Sequence, residues 1–180
     1  GVASGLRFGQ MRGMRTYFVS ADLNAGRSIL YGEDPDELVI DGIMASAALP
    51  PWVQPKERDG AILVDGGTVS NVPIEATLGL GAEEVIALDL AEPLAALHDE
   101  KSIGPWLNKL IATVQRRHLD LELALAEALD VPVHYIWLRF EPPVAVWDFG
   151  HPGKLIEAGY EITKAEIASW QPKEDSPKSL

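Results

Sequence analysis

The sequence predicts a mixed α/β fold in which a largely parallel sheet is flanked by helices. Strand-like and helix-like patterns alternate along most of the chain. Residues 84–90 form a nearly continuous apolar run, which is typical of strands that are buried on both faces of a parallel sheet. Two strand-like segments near the start are separated by only a short polar stretch, so we expect one antiparallel hairpin within this sheet.

The hairpin strands are predicted at residues 14–20 and 27–31, because both segments are rich in β-branched, aliphatic or aromatic side chains. A helix should follow them. Asp34 is placed to act as its N-cap and Glu37 to complete a capping box, and the helical pattern continues to about Ala45.

The pair Asp59-Gly60 predicts a tight turn that leads into a strand at residues 61–64. The later elements follow from apolar periodicity and from Gly and Pro stop signals. In chain order they are a short helix at 74–78 closed by Gly79 and Gly81, a strand at 84–90, one long or two short helices over 103–129, a strand at 133–138 and a helix at 154–170.

Composition limits the classes of function. A length of 180 residues with 47% hydrophobic side chains fits one globular domain with a sizeable core. The net charge of -12 disfavours nucleic acid as a partner and disfavours polybasic anchoring to anionic lipid. The absence of cysteine excludes disulfides, thiolate metal sites and a cysteine nucleophile. No run approaches the roughly 20 apolar residues that a transmembrane segment needs.

Three regions are expected along the chain. Residues 1–13 read as a flexible lead-in or as the remnant of an upstream segment, since the chain begins with Gly1 instead of methionine. Residues 14–170 should form the α/β domain. Residues 171–180 are polar and should form a disordered tail.

Asp65 is the candidate catalytic residue, and Gly66 and Gly67 support it. The apolar strand delivers this carboxylate to a turn in which two glycines lack a Cβ and can adopt positive φ, so backbone or ligand can approach closely. A carboxylate held in this way can act as a general base if a nucleophile lies within hydrogen-bond reach. An Asp-Gly pair is also a common turn without chemistry, and that interpretation stays open on local grounds.

No nucleophile or cofactor motif accompanies Asp65. The serine pattern G-x-S-x-G does not occur, and the segment around Ser4 resembles it only loosely. His118 and Glu122 lie four residues apart on a predicted helix and are interpreted as a solvated pair. His151 lies in a loop rich in Pro and Gly, where nothing places it near Asp65. We therefore predict neither a cofactor nor a metal.

Residues 15–90 resemble the second half of a patatin-like phospholipase domain. The resemblance rests on four ordered segments. They are residues 19–26 (Val-Ser-Ala-Asp-Leu-Asn-Ala-Gly), 45–50 (Ala-Ser-Ala-Ala-Leu-Pro), 63–67 (Leu-Val-Asp-Gly-Gly) with 71–73 (Asn-Val-Pro), and 80–82 leading into 85–89. The resemblance implies a partial patatin-like domain and hydrolysis of lipid esters by a Ser/Asp dyad without histidine.

Within that resemblance, Asp65 matches the catalytic aspartate, whereas the serine motif and the oxyanion loop of the family would lie upstream of the matching region. The expected function is therefore part of a serine acyl hydrolase that supplies the aspartate but not the serine. The alternative is a non-catalytic α/β binding or regulatory domain. A lipid or small ester is the expected substrate, and a cytoplasmic or membrane-peripheral location is favoured. Self-association or a missing N-terminal half is expected to cover the open surfaces of a partial domain.

Overall fold

The computed structural model describes residues 5–90, 103–140, 150 and 152–170, and these form two compact units. The first unit contains the elements up to β4 and the helices α1 to α3, and the second contains most of β5 and β6 together with α4. In chain order the elements are β1 (Phe18–Asp22), β2 (Arg27–Tyr31), α1 (Val39–Ser46), β3 (Lys56–Arg58), β4 (Ala61–Asp65), α2 (Ile74–Gly79), β5 (Val85–Asp89), α3 (Ile103–Ala128), β6 (Val133–Trp137) and α4 (Pro152–Ser169).

The prediction of a mixed α/β fold is confirmed, but the parallel content is smaller than predicted. The first unit has a four-stranded sheet in the order β2-β1-β4-β3, and each neighbouring pair is antiparallel. The connections between β1 and β2 and between β3 and β4 are too short for a crossover, which forces both pairs to run antiparallel. The strands β5 and β6 form a separate pair, in which Val85 N–H donates to Pro132 O and Leu138 N–H donates to Asp89 O. These bonds advance in the same direction along both strands, as in a parallel pair.

The turn predicted at Asp59-Gly60 is confirmed as a two-residue hairpin loop between β3 and β4. Asp59 has φ 50° and Gly60 has φ 82°, which is the pair of positive values that a type I′ turn requires. Arg58 and Ala61 face each other across the ladder on either side of this loop. The turn therefore fixes where β4 begins, at Ala61, four residues before the candidate aspartate.

The helix after β2 begins later than the capping signals predict. Asp34 is not its N-cap, because α1 starts at Val39 with an extended Leu38 before it. The side chain of Asp34 instead accepts a hydrogen bond from Asp36 N–H within the preceding turn. Glu37 is also occupied elsewhere, since it accepts from Gly32 N–H and pairs with Arg58. Tertiary partners thus outweigh the local capping box.

Part of the N-terminal segment belongs to the core of the first unit. Phe8 belongs to a core cluster with Tyr31, Val39, Ala45 and Leu63. Backbone hydrogen bonds join Phe8 N–H to Glu37 O and Val39 N–H to Leu6 O. These contacts involve described residues of the segment 1–13, whose origin as an upstream remnant stays a prediction.

The helix α3 is one continuous helix, and it packs with an unexpected face. Its buried side chains are Leu119, Glu122 and Ala126. The apolar residues that recur every three or four positions are exposed instead: Leu107 54%, Ile111 47%, Val114 58%, Leu121 51% and Leu125 38%. These apolar residues, whose spacing predicted the helix, therefore lie outside the buried face of α3 among the described residues.

The second unit departs from the sequence prediction at β5. Val85, Ala87 and Asp89 are buried, whereas Ile86 and Leu88 are exposed, so burial alternates along the strand. The apolar run thus belongs to a strand with one packed face among the described residues, although two buried faces were predicted. The ring of His134 on β6 stacks on Trp170 just after α4, with 4.1 Å between ring centroids. No helix among the described residues is long and apolar enough to span a membrane.

Candidate active site around Asp65

Asp65 is the last residue of β4, where the strand gives way to a 3₁₀ turn of residues Gly66–Thr68. Its backbone N–H donates to Ala48 O at 2.9 Å, which ties the strand end to the segment after α1. Ser20 of the neighbouring strand β1 is its partner in the ladder. The apolar side chains Leu63 and Val64 before it are buried, so the carboxylate emerges where the core ends.

One carboxylate oxygen of Asp65 is held and the other is available. Oδ1 accepts a hydrogen bond from Gly67 N–H at 2.7 Å, and this bond caps the 3₁₀ turn. Oδ2 accepts no hydrogen bond from the residues that the structure describes. The side chain is half-buried, so solvent or a ligand can reach it. An acid with one fixed and one open oxygen is suited to accept a proton from a hydroxyl group.

The two glycines are needed for space and not for positive φ. Positive φ values occur at other glycines of the described chain, and neither Gly66 nor Gly67 has one. A Cβ added to Gly66 would lie 2.4 Å from Val19 O, which is backbone and cannot move aside alone. A Cβ on Gly67 would lie 3.0 Å from Asp65 Oδ1. The glycines therefore allow β1 and the carboxylate itself to approach the turn closely.

Two side chains of α3 contact the backbone that follows Asp65. Gln115 Nε2 donates to Gly67 O at 3.1 Å. Glu122 Oε2 accepts from Ile74 N–H at 2.6 Å, at the start of α2. His118 Nδ1 lies 3.1 Å from Glu122 Oε1. The interpretation of His118 and Glu122 as a solvated pair is therefore wrong, because Glu122 is only 3% exposed and caps a helix.

Those helix contacts were missed from the sequence, where Gln115 and Glu122 look like ordinary surface positions. A weak signal does exist, since both interrupt the apolar residues of α3 on a single face, seven positions apart. The partners they find lie 48 residues earlier in the chain. Local pattern alone contains no information on such a distant backbone partner.

Ser20 is the serine that the sheet register places beside Asp65. Opposed residues of an antiparallel pair share one face of the sheet and have Cβ atoms about 5 Å apart. However, Ser20 is 0% exposed and its Oγ donates to Ile29 O at 3.4 Å, so it is closed to a substrate in this structure. Ser70 is also buried, and its Oγ has no hydrogen-bond partner among the residues that the structure describes. Ser4 and His151 lie outside the described residues.

The described residues contain no group of three or more His, Asp or Glu side chains arranged as metal ligands. A cleft of about 440 Å³ lies elsewhere, lined by residues between Phe8 and Tyr17 and between Gly32 and Pro35. Asp65 and its two glycines do not line it. The site thus consists of a presented carboxylate on a braced turn.

Comparison with known proteins matches residues 14–78 to the family model described as patatin-like phospholipase. The chain is 29% identical over 145 residues to human patatin-like phospholipase domain-containing protein 6, covering 69% of this chain and 10% of that protein. It is 33% identical over 96 residues to an uncharacterized NTE family protein of Mycobacterium bovis, covering 52% of this chain and 26% of that protein. It is also 27% identical over 143 residues to rat patatin-like phospholipase domain-containing protein 7, covering 69% of this chain.

The chain thus spans about a tenth of the human relative and about a quarter of the mycobacterial one. The matched range 14–78 runs from just before β1 into α2 and includes Asp65, Gly66 and Gly67.

Proposed function

We propose that this chain, whose residues 14–78 match the patatin-like phospholipase family model, is a member of that family and forms the C-terminal portion of a serine acyl hydrolase domain. In this proposal Asp65 is the general base of a Ser/Asp dyad. It accepts the hydroxyl proton of a serine that attacks the carbonyl carbon of a lipid ester, and it returns the proton to the leaving alcohol. The serine itself is supplied by a segment outside the 180 residues.

The observation that carries the proposal is the state of the Asp65 carboxylate. Oδ1 is fixed by Gly67 N–H at 2.7 Å, while Oδ2 is unbonded among the described residues and the side chain is half-buried. A base needs a fixed orientation and an oxygen that can receive the proton, and Asp65 has both. An aspartate that served only to close the turn would need neither an open oxygen nor the close approach of β1 that Gly66 allows.

The division between aspartate and serine rests on the sequence. The pattern G-x-S-x-G is absent from all 180 residues. Ser20, which lies opposite Asp65 in the ladder, is fully buried and points its hydroxyl group at Ile29 O. A base without its nucleophile and oxyanion donors should give almost no acceleration, because those groups account for most of the catalysis in serine hydrolases.

The first test uses this chain alone. We expect no hydrolysis of a short-chain p-nitrophenyl ester and no labelling by a fluorophosphonate probe. Mass spectrometry after exposure to the probe would locate any adduct. An adduct on Ser20, Ser46 or another serine of this chain would overturn the division of the dyad.

The second test uses the longer protein that joins this chain to its serine segment. Asp65→Asn should lower esterase kcat by about 10² to 10⁴, the range that general base catalysis contributes. Asp59→Asn is the matched control, because the Asp59 side chain is 93% exposed in a hairpin loop. Unchanged activity of a folded Asp65→Asn protein would instead support a non-catalytic binding or regulatory domain, in which Asp-Gly-Gly is only a turn.

A further inference from the structure

We propose that Gln115 of α3 is a positioning residue for Asp65. In this role it holds the Gly66–Thr68 turn so that the carboxylate keeps one oxygen fixed and the other open. The inference rests on the proposed function of Asp65 as a base. It adds a residue from a distant helix that the motif around Asp65 does not contain.

The contact runs through a single glycine. Gln115 Nε2 donates to Gly67 O at 3.1 Å, and Gly67 N–H donates to Asp65 Oδ1 at 2.7 Å. Gly67 is therefore anchored on its carbonyl side by the helix, and it anchors the carboxylate by its amide. Without the amide of Gln115, the half-buried turn would lose its contact with α3 at that glycine. The orientation of Gly67 N–H would then depend on the turn alone.

Glu122 provides a second contact between α3 and the segment after Asp65. Glu122 lies seven residues after Gln115, two helical turns or about 10 Å along the axis. It accepts from Ile74 N–H at 2.6 Å and from Glu75 N–H at 3.4 Å. Ile74 likewise lies seven residues after Gly67. Side chains of α3 thus hold residues 67–74 at both ends. This segment cannot shift along α3 without breaking one of the two contacts.

The packed face of α3 is consistent with this role. Leu119 and Ala126 are buried, with Glu122 between them on the same face, and α3 packs against α2 within the first unit. Gln115 is half-buried on this face, one turn before Leu119. Asn108 on the same helix also has an amide side chain, but it is exposed. Replacing the Asn108 amide by a carboxylate is therefore a matched control, because it makes the same chemical change on α3 without touching the turn.

The first experiment measures amide hydrogen exchange in this chain and needs no activity. Gln115→Glu keeps the side-chain length and removes the donor, whereas Asn108→Asp makes the same change at the exposed amide. We expect exchange at Gly67 and its neighbours to become roughly threefold to tenfold faster in Gln115→Glu and to stay unchanged in Asn108→Asp. Equal exchange at Gly67 in wild type and Gln115→Glu, with equal global stability, would overturn the inference.

The second experiment measures ester hydrolysis by the longer protein that contains the serine segment. Gln115→Glu should lower kcat by about tenfold to a hundredfold with KM little changed, because it misplaces the base without touching the substrate. Gln115→Lys restores a donor and should recover a measurable part of kcat. A raised KM with unchanged kcat, or equal loss in the Glu and Lys variants, would contradict a positioning role.

The two proposals can fail separately. If Asp65→Asn keeps full activity, the proposed function is wrong, and the exchange experiment still decides whether Gln115 holds the turn. If Asp65→Asn abolishes activity while Gln115→Glu changes neither exchange nor kcat, only the positioning role is wrong.

Discussion

Gly66→Ala offers the most direct test of the close approach between β1 and the turn after Asp65. A Cβ at this position would lie 2.4 Å from Val19 O, 2.8 Å from Val19 C and 3.2 Å from Val19 Cβ. Contacts below 3.0 Å are essentially not found for real Cβ atoms, so the backbones must separate by at least 0.6 Å, the difference between 3.0 and 2.4 Å. Val19 precedes Ser20, the ladder partner of Asp65, so this separation would act on the site itself.

The expected loss of stability is about 3 kcal/mol, toward the upper end for overpacking a buried position, because both sides of the clash are backbone. For a chain of this length that corresponds to a fall in Tm of roughly 6–12 °C. Urea unfolding followed by circular dichroism should show a midpoint lower by about 1–2 M if the slope is about 2 kcal/mol/M.

Gly79→Ala provides the matched control for this substitution. It adds the same methyl group at the end of α2, where a Cβ meets no atom within 4 Å. Alanine is the better helix former, so this variant should be as stable as the wild type or more stable by up to about 1 kcal/mol. A Gly66→Ala protein whose stability lies within about 0.5 kcal/mol of the wild type would refute the close packing of Gly66 on Val19.

Two further predictions concern carboxylates, the buried Glu122 and the half-buried Glu37. Glu122→Ala removes the cap of α2 and should lower the free energy of unfolding by about 2 kcal/mol. Glu127→Ala, at an exposed position of the same helix, should change it by less than about 0.5 kcal/mol in parallel urea titrations. Glu37→Gln weakens the 2.6 Å contact with Arg58 and should cost about 1 kcal/mol, a value kept low because Arg58 is 38% exposed. Burial lowers the pKa of Arg58, but its contacts with the Tyr31 ring and the Glu37 carboxylate outweigh that effect, so the pKa is raised. A group with a raised folded pKa stabilises fully below its unfolded pKa, so the stability difference should be constant from pH 6 to 9. A difference that varies over that range would contradict this assignment.

Much of the fold around Asp65 follows from short-range signals. The Asp59-Gly60 pair predicts a hairpin loop because two consecutive positive φ values suit those residues. The helix predicted at residues 74–78 is observed as Ile74–Gly79, and Gly81 after it has φ +83°. In both places the backbone conformation depends on the residues that adopt it, so the sequence pattern is sufficient.

The remaining features depend on contacts between distant parts of the chain. Asp34 and Glu37 have the residues of a capping box, yet Glu37 is drawn to Arg58, 21 residues away. Ser20 lies opposite Asp65 only because β1 pairs with β4, and no local pattern determines that pairing. Gln115 is indistinguishable from a surface glutamine until the turn that accepts its hydrogen bond is placed beside α3.

The orientation of α3 has a consequence for protein engineering. A redesign for higher solubility, guided by hydropathy alone, would keep Leu107, Ile111 and Val114 as core and would exchange Gln115 and Glu122 as free surface. In this structure that choice replaces the two side chains that hold the segment after Asp65, and it retains three apolar side chains that are exposed among the described residues. The polar pair should therefore be left as it is, whichever other positions are changed.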